Sequence, residues 1–205
     1  EFWGEVLFYA VNLLLVTHAL STSAQLMDEK GDVKLTSEPN AWDDFIYTKL
    51  AGWINSLGFV WLPVVALVVS RCAWSTAFLL CAIANLLVLV VVLLPSLAVQ
   101  PWGFALCALG RLMLFSFHHA YLIERFGIEY FGILNGVASF VAGIVGFVSY
   151  PAQLFAVPLG VFALSFLPIG VAIVVSILFP AVLRQRERTR AARELEGGGG
   201  GGRGG

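Results

Sequence analysis

The residue whose placement first demands an explanation is Arg111, which stands near the middle of a long apolar block. A charge at that depth in a bilayer costs ~2.5–3.5 kcal/mol on insertion scales, so it must face a wet cavity or a partner inside the protein. A guanidinium offers two parallel hydrogen bonds to a carboxylate, which makes an anionic group of a small solute one such partner. The other use is structural, with the arginine bonded to helix carbonyls or to a facing bundle. Residue type and depth leave both open. Phe115 and His118 follow at four and seven residues, on the same helical face. In the first apolar block, Tyr9 and Asn12 share a stripe with Ser23, while His18, Thr22 and Gln25 form another. Such polar residues line a pathway or tie neighbouring helices together. Arg111, Asn12, Tyr9, Phe115 and His118 are the candidate solute-binding residues.

Other chemistries fit less well. His118 and His119 are adjacent, and histidine titrates near neutral pH. A metal site would need further ligands at helical spacing, and none is visible. No carboxylate lies mid-span beside the histidines, so the sequence offers no obvious proton relay. Gly136-Val137-Ala138-Ser139 partly matches a serine-nucleophile motif. Phe140 stands where its closing glycine belongs, and all three histidines lie upstream. No catalytic residue, cofactor or nucleic-acid partner is expected. Cys72, Cys81 and Cys107 lie in or beside apolar blocks without ligand spacing and read as buried free thiols.

The elements that must position these residues are apolar runs. Of 205 residues, 59% are hydrophobic and 12% charged, more apolar surface than one soluble core can hide. Six blocks are about twenty residues or longer, enough to cross a ~30 Å hydrocarbon layer as helices. They cover 2–21, 50–69, 76–99, 102–123, 130–154 and 157–183. The alternating pattern of a membrane β-barrel is absent. The chain is therefore expected to be an all-α membrane protein of six spans. In the fifth block Gly132, Gly136, Ser139, Gly143 and Gly146 recur every three or four residues. That seam predicts close packing against another helix. Pro158 and Pro168 are expected to bend the sixth span.

Charge sets the orientation. The 22–49 connection is acidic, with six Asp or Glu and two Lys between Asp28 and Asp44. Arg71, Arg125 and the arginines from Arg184 to Arg193 all fall on the opposite side if there are six spans. Excess Lys and Arg mark the cytoplasmic side, so both ends are expected there and the acidic loop outside or in a lumen. The 184–205 segment reads as an Arg-rich tail that ends in a disordered glycine run. The first residue is Glu1 and an apolar block begins at once, so the chain reads as cut from a longer one.

From Arg111 to Pro151 the residues also follow a known arrangement. Arg111, Phe117 and Tyr121 precede Phe126-Gly127, then Tyr130-Phe131-Gly132, Leu134 and Gly136; Tyr47-Thr48 and Pro63 add to it upstream. The stretch from Tyr47 to Pro151 resembles the major facilitator branch of sodium-independent large-neutral-amino-acid transporters and their fungal and protist relatives. Ala66 and Ser70 depart from it where relatives carry a glycine and an aspartate, which puts a gate charge in doubt. The resemblance implies the second half of a twelve-helix fold, with the missing N-terminal six-span half, or a dimer partner, completing a midplane site. It further implies that the first and fourth spans line the cavity and that the third and sixth face lipid. The expected function is alternating-access transport of amino acids or similar small organic solutes, by facilitated diffusion for want of a mid-span carboxylate. A truncated or degenerate relative that serves as a membrane partner or scaffold is the alternative.

Overall fold

The computed structural model describes residues 1–31, 46–156 and 165–198, and among them every regular element is helical. In chain order these are α1 (Phe2–Ser21), α2 (Ser23–Glu29), α3 (Ile46–Ser56), α4 (Leu62–Arg71), α5 (Trp74–Leu93) and α6 (Gln100–Phe126). They continue with α7 (Ile128–Gly146), α8 (Ser149–Ala156), α9 (Leu167–Ser176) and α10 (Leu178–Gly198). Six stretches are long and apolar enough to cross a membrane: Phe2–Ser21, Ile46–Arg71, Trp74–Leu93, Leu97–Phe126, Ile128–Pro151 and Leu167–Thr189. Half of the acidic 22–49 connection, residues 32–45, and residues 157–164 of the sixth block, Pro158 included, lie outside the described residues.

Proline and glycine punctuate these helices for local reasons. Pro63 and Pro101 sit in the first turns of α4 and α6, where a missing N–H costs nothing. Gly127 takes φ 86° between α6 and α7, a conformation that side chains disfavour, and this lets two long helices meet without a loop. Pro168 occupies the first turn of α9. The sixth span is interrupted at Ile177, between α9 and α10. Pro180 cannot donate to the carbonyl four residues back, that of Ser176, so the ladder breaks there.

The arginine-rich segment also differs from the expected tail. It continues the sixth span as α10 as far as Gly198. Arg, Glu, Ala and Leu are all good helix formers, and a helix already nucleated in the span propagates through them. The glycines beyond Gly198 lie outside the described residues.

Both ends of the bundle are fixed by polar contacts. At one end Glu1 pairs with Arg125 of α6 at 2.6 Å and with Arg186 of α10 at 2.9 Å. Trp74 donates its indole N–H to Glu124 at 2.9 Å, and the Ser75 hydroxyl donates to Glu187. The basic residues Arg125 and Arg186 thus share one end. At the other end Lys30 donates to the carbonyls of Val92 and Leu94, past the end of α5.

Burial is uneven. In α1 56% of the span is buried inside the chain, and in α5 44%, whereas the second and fifth spans are only 11% buried. The third span, which the resemblance implied faces lipid, is exposed on one side only. Leu80, Ile83, Leu87 and Val90 form an exposed stripe, but Ala77, Phe78, Cys81, Ala82 and Asn85 on the opposite face are buried. Small side chains and one amide on that face let α5 lie close to α6: a Cβ on Gly110 would collide with Asn85 Oδ1.

Candidate functional site

Helix α1 carries three fully buried polar side chains, Glu5, Asn12 and His18. They lie seven and six residues apart, so each is roughly two turns from the next. Each reaches a different set of helices.

Glu5 reaches α6. Its Oε1 lies 2.5 Å from His118 Nδ1, with both side chains at 0% exposure. His118 Nε2 lies 3.1 Å from Asn135 Oδ1 on α7. The imidazole stacks on the Tyr9 ring, centroids 4.0 Å apart and planes 15° apart, and the His119 ring is 5.3 Å away. Glu5 Oε2 is buried and has no hydrogen-bond partner among the described residues. The histidine therefore does have a buried carboxylate, contrary to the sequence expectation. Glu5 falls in the first turn of α1 and reads as a span-end acid, yet it shares a stripe with Tyr9 and Asn12 at spacings of four and three. That spacing was the signal.

Asn12 reaches α5. Asn85 Nδ2 donates to Asn12 Oδ1 at 2.8 Å, while Asn12 Nδ2 donates to the Phe8 carbonyl at 2.8 Å and to Ser176 Oγ of α9 at 3.3 Å. Asn12 is a cross-link between helices, closed off from any groove, and the structure does not place it with the solute-binding candidates. Asn85, the amide that holds it, stands in a block that otherwise reads as apolar.

His18 reaches the far end. Its Nδ1 lies 2.7 Å from Ser149 Oγ and its Nε2 2.7 Å from Ser165 Oγ. The ring meets Phe166 edge-on at 4.6 Å.

Beside this ladder runs a groove of about 490 Å³, lined by Tyr9 and Thr17 of α1, Phe115 of α6, and Ser139, Gly143 and Gly146 of α7. Tyr9 and Phe115 meet edge-on at 6.0 Å in its wall. The structure thus brings Tyr9 and Phe115 together at a groove and places His118 directly behind Tyr9. Arg111 lies one turn of α6 before Phe115 and is half-buried. It makes no hydrogen bond or ion pair with any described residue.

The glycine seam changes meaning here. A Cβ at Gly132, Gly136, Gly143 or Gly146 would meet nothing within 4 Å among the described residues. Among the described residues no helix packs against the seam. Ala138 and Ala142, on the neighbouring face of α7, are the buried contact instead. Without side chains, Gly143 and Gly146 leave room in the groove.

No family model, curated protein or solved structure matches this chain. What the site can do therefore rests on its own residues. They provide an arginine at mid-span whose donors are unspent among the described residues, an aromatic and hydroxyl-lined groove whose wall residue Phe115 is one turn away on α6, and a buried acid–imidazole pair behind the groove wall. Among the described residues no three His, Cys, Asp or Glu side chains converge as metal ligands would.

Proposed function

We propose that the chain is a six-helix bundle of a secondary transporter that moves amino acids or similar small organic solutes by alternating access, working against a facing bundle. The observation that carries this reading is Arg111. Its guanidinium is half-buried at mid-helix without an ion-pair or hydrogen-bond partner in the described chain, one turn from the groove residue Phe115. Solvating a charge at that depth requires a partner from elsewhere. A solute carboxylate held by two parallel bonds, beside an aromatic groove for its side chain, meets that requirement. The exposed faces of the second and fifth spans and the open glycine seam support a facing bundle, because small residues let helices from two bodies approach closely. Glu5, in the first turn of α1 and buried against His118, gives the bundle an internal carboxylate close to a span end.

The test is uptake of a labelled neutral amino acid by cells that express the complete gene product, normalised to surface expression. Arg111→Lys keeps the charge and loses the planar fork, so it is expected to fold and to lose most transport, on the order of tenfold or more for the lost two-point contact. Wild-type uptake by Arg111→Lys would remove the two-point contact. Absence of uptake of any such solute by the wild type would favour a membrane scaffold.

A further inference from the structure

We propose that Glu5, His118 and Asn135 form a proton-binding site through which solute movement is coupled to a proton. This rests on the transport reading above; the site itself is read from the arrangement of its polar atoms.

The geometry fixes a proton count. His118 stands between two oxygens, Glu5 Oε1 on Nδ1 and Asn135 Oδ1 on Nε2. An amide oxygen only accepts, so Nε2 carries a hydrogen. The other contact needs one more, on Nδ1 of an imidazolium facing a carboxylate or on Glu5 facing a neutral imidazole. The two assignments hold the same number of protons. With the Asn135 amide oxygen turned toward the ring, this arrangement corresponds to the proton-loaded state. Loss of one proton leaves a carboxylate and a neutral imidazole. The remaining hydrogen moves to Nδ1, where Glu5 accepts it. The Nε2 lone pair then faces Asn135 Oδ1, two acceptors opposed, and the contact holds only if the amide turns over to donate through Nδ2. Binding and release thus exchange one proton and turn one amide on α7.

Two further features suit this role. Glu5 Oε2 is buried and unbonded among the described residues, so it offers a position for an incoming proton. Tyr9 touches both the proton site and the groove: it stacks on His118 and meets Phe115 edge-on. Arg111 lies seven residues before His118, about 10 Å along α6. A solute in the groove therefore acts on the imidazole through one ring. Other titratable groups near the pair are Tyr9 of α1 and His119 of α6. One turn earlier on α1, Glu1 is bonded to Arg125 of α6 and Arg186 of α10. Glu129 in the first turn of α7 lies six residues before Asn135.

Two measurements test the site separately from transport. The first is nuclear magnetic resonance of the purified complete protein in micelles, with labelled histidine and asparagine and with His18→Gln and His119→Gln for assignment. One pH step is expected to move the His118 nitrogens and the Asn135 side-chain amide together, and Glu5→Gln is expected to abolish that shared step. His118 and Asn135 that stay unchanged between pH 4.5 and 9 would overturn the proton site, whatever the transport result. The second uses proteoliposomes with the membrane potential clamped at zero and the outside one pH unit more acid. One-to-one coupling gives about tenfold accumulation of a neutral amino acid, since one unit is a tenfold proton ratio. Glu5→Gln is expected to show none. Wild-type exchange of labelled for unlabelled solute without accumulation would overturn the coupling and leave the transport reading standing. A shared NMR step without any exchange would keep the proton site and overturn both transport and its coupling.

Discussion

Helices α5 and α6 approach closely at Gly110, and substituting it with alanine is a direct test of the helix arrangement. The new Cβ would overlap Asn85 Oδ1 on α5. Asn85 cannot simply step aside, because its Nδ2 holds Asn12 Oδ1 at 2.8 Å and the residue is fully buried. Either the helices separate or the amide pair breaks. Overpacking a core costs about 1–3 kcal/mol. An interhelical hydrogen bond in a membrane protein is worth about 0.6 kcal/mol on average and at most about 1.7. Either route costs about 1–3 kcal/mol, or roughly 2–12 °C in melting temperature on the scale of soluble domains of this size. Cys81 and Cys107 are buried free thiols, whereas Cys72 is only half-buried, so a thiol-reactive fluorescent dye reports unfolding in a Cys72→Ser background. Asn85→Ala supplies the control. It loses the amide pair but vacates the space beside Gly110, so Gly110→Ala combined with Asn85→Ala should be no less stable than Asn85→Ala alone. That non-additivity is the signature of a collision. If Gly110→Ala melts with the wild type, or if the two substitutions add, α5 and α6 do not cross as described.

Gly143→Leu should leave the melting temperature of this chain within about 2 °C, as for an exposed site, because its Cβ meets open space; transport by the complete protein should fall sharply, and a chain that fails to fold would mean the seam packs internally. Burial alone would raise the Glu1 carboxyl, but its bonds to Arg186 and Arg125 outweigh this and hold it below its ordinary value of 4.5. Its pairs therefore contribute in full above pH 4.5 and are lost as pH falls through the depressed folded value; at about 0–1 kcal/mol for each exposed pair, Glu1→Gln should flatten only a small acid-side loss in a pH series of melts. Tags at the C-terminus and within residues 32–45 should show opposite protease access in intact cells, and equal access would break the six-span topology.

The span count was legible because apolar runs of bilayer length admit few alternatives. Residue partnerships were not. Glu5 and His118 are 113 positions apart, and nothing in the local pattern around either names the other. The 5-9-12 stripe on α1 does mark a polar face, although a carboxylate in a first turn reads as a solvated helix end. Asn85 was hidden differently, as one amide among aliphatic side chains, where composition averages it away. Gly136 and Gly143 illustrate the reverse error. Small-residue spacing specifies that something comes close, and the sequence cannot say whether that is a neighbour in the same chain, a separate body or a solute.

The polar ladder of α1 has a consequence for how the chain is made. Glu5, Asn12 and His18 all lose water in the finished bundle, and each finds a hydrogen-bond partner on a segment synthesised later. For Glu5 the wait is 113 residues, roughly 5–25 s at ordinary elongation rates. Until α6 emerges, α1 must lodge in the membrane with an unmatched acid, or remain at the insertion machinery beside water. This helix is therefore the one most dependent on a sheltering insertase, and substitutions at His118 should show themselves as early degradation of nascent chains before any finished bundle exists to be assayed.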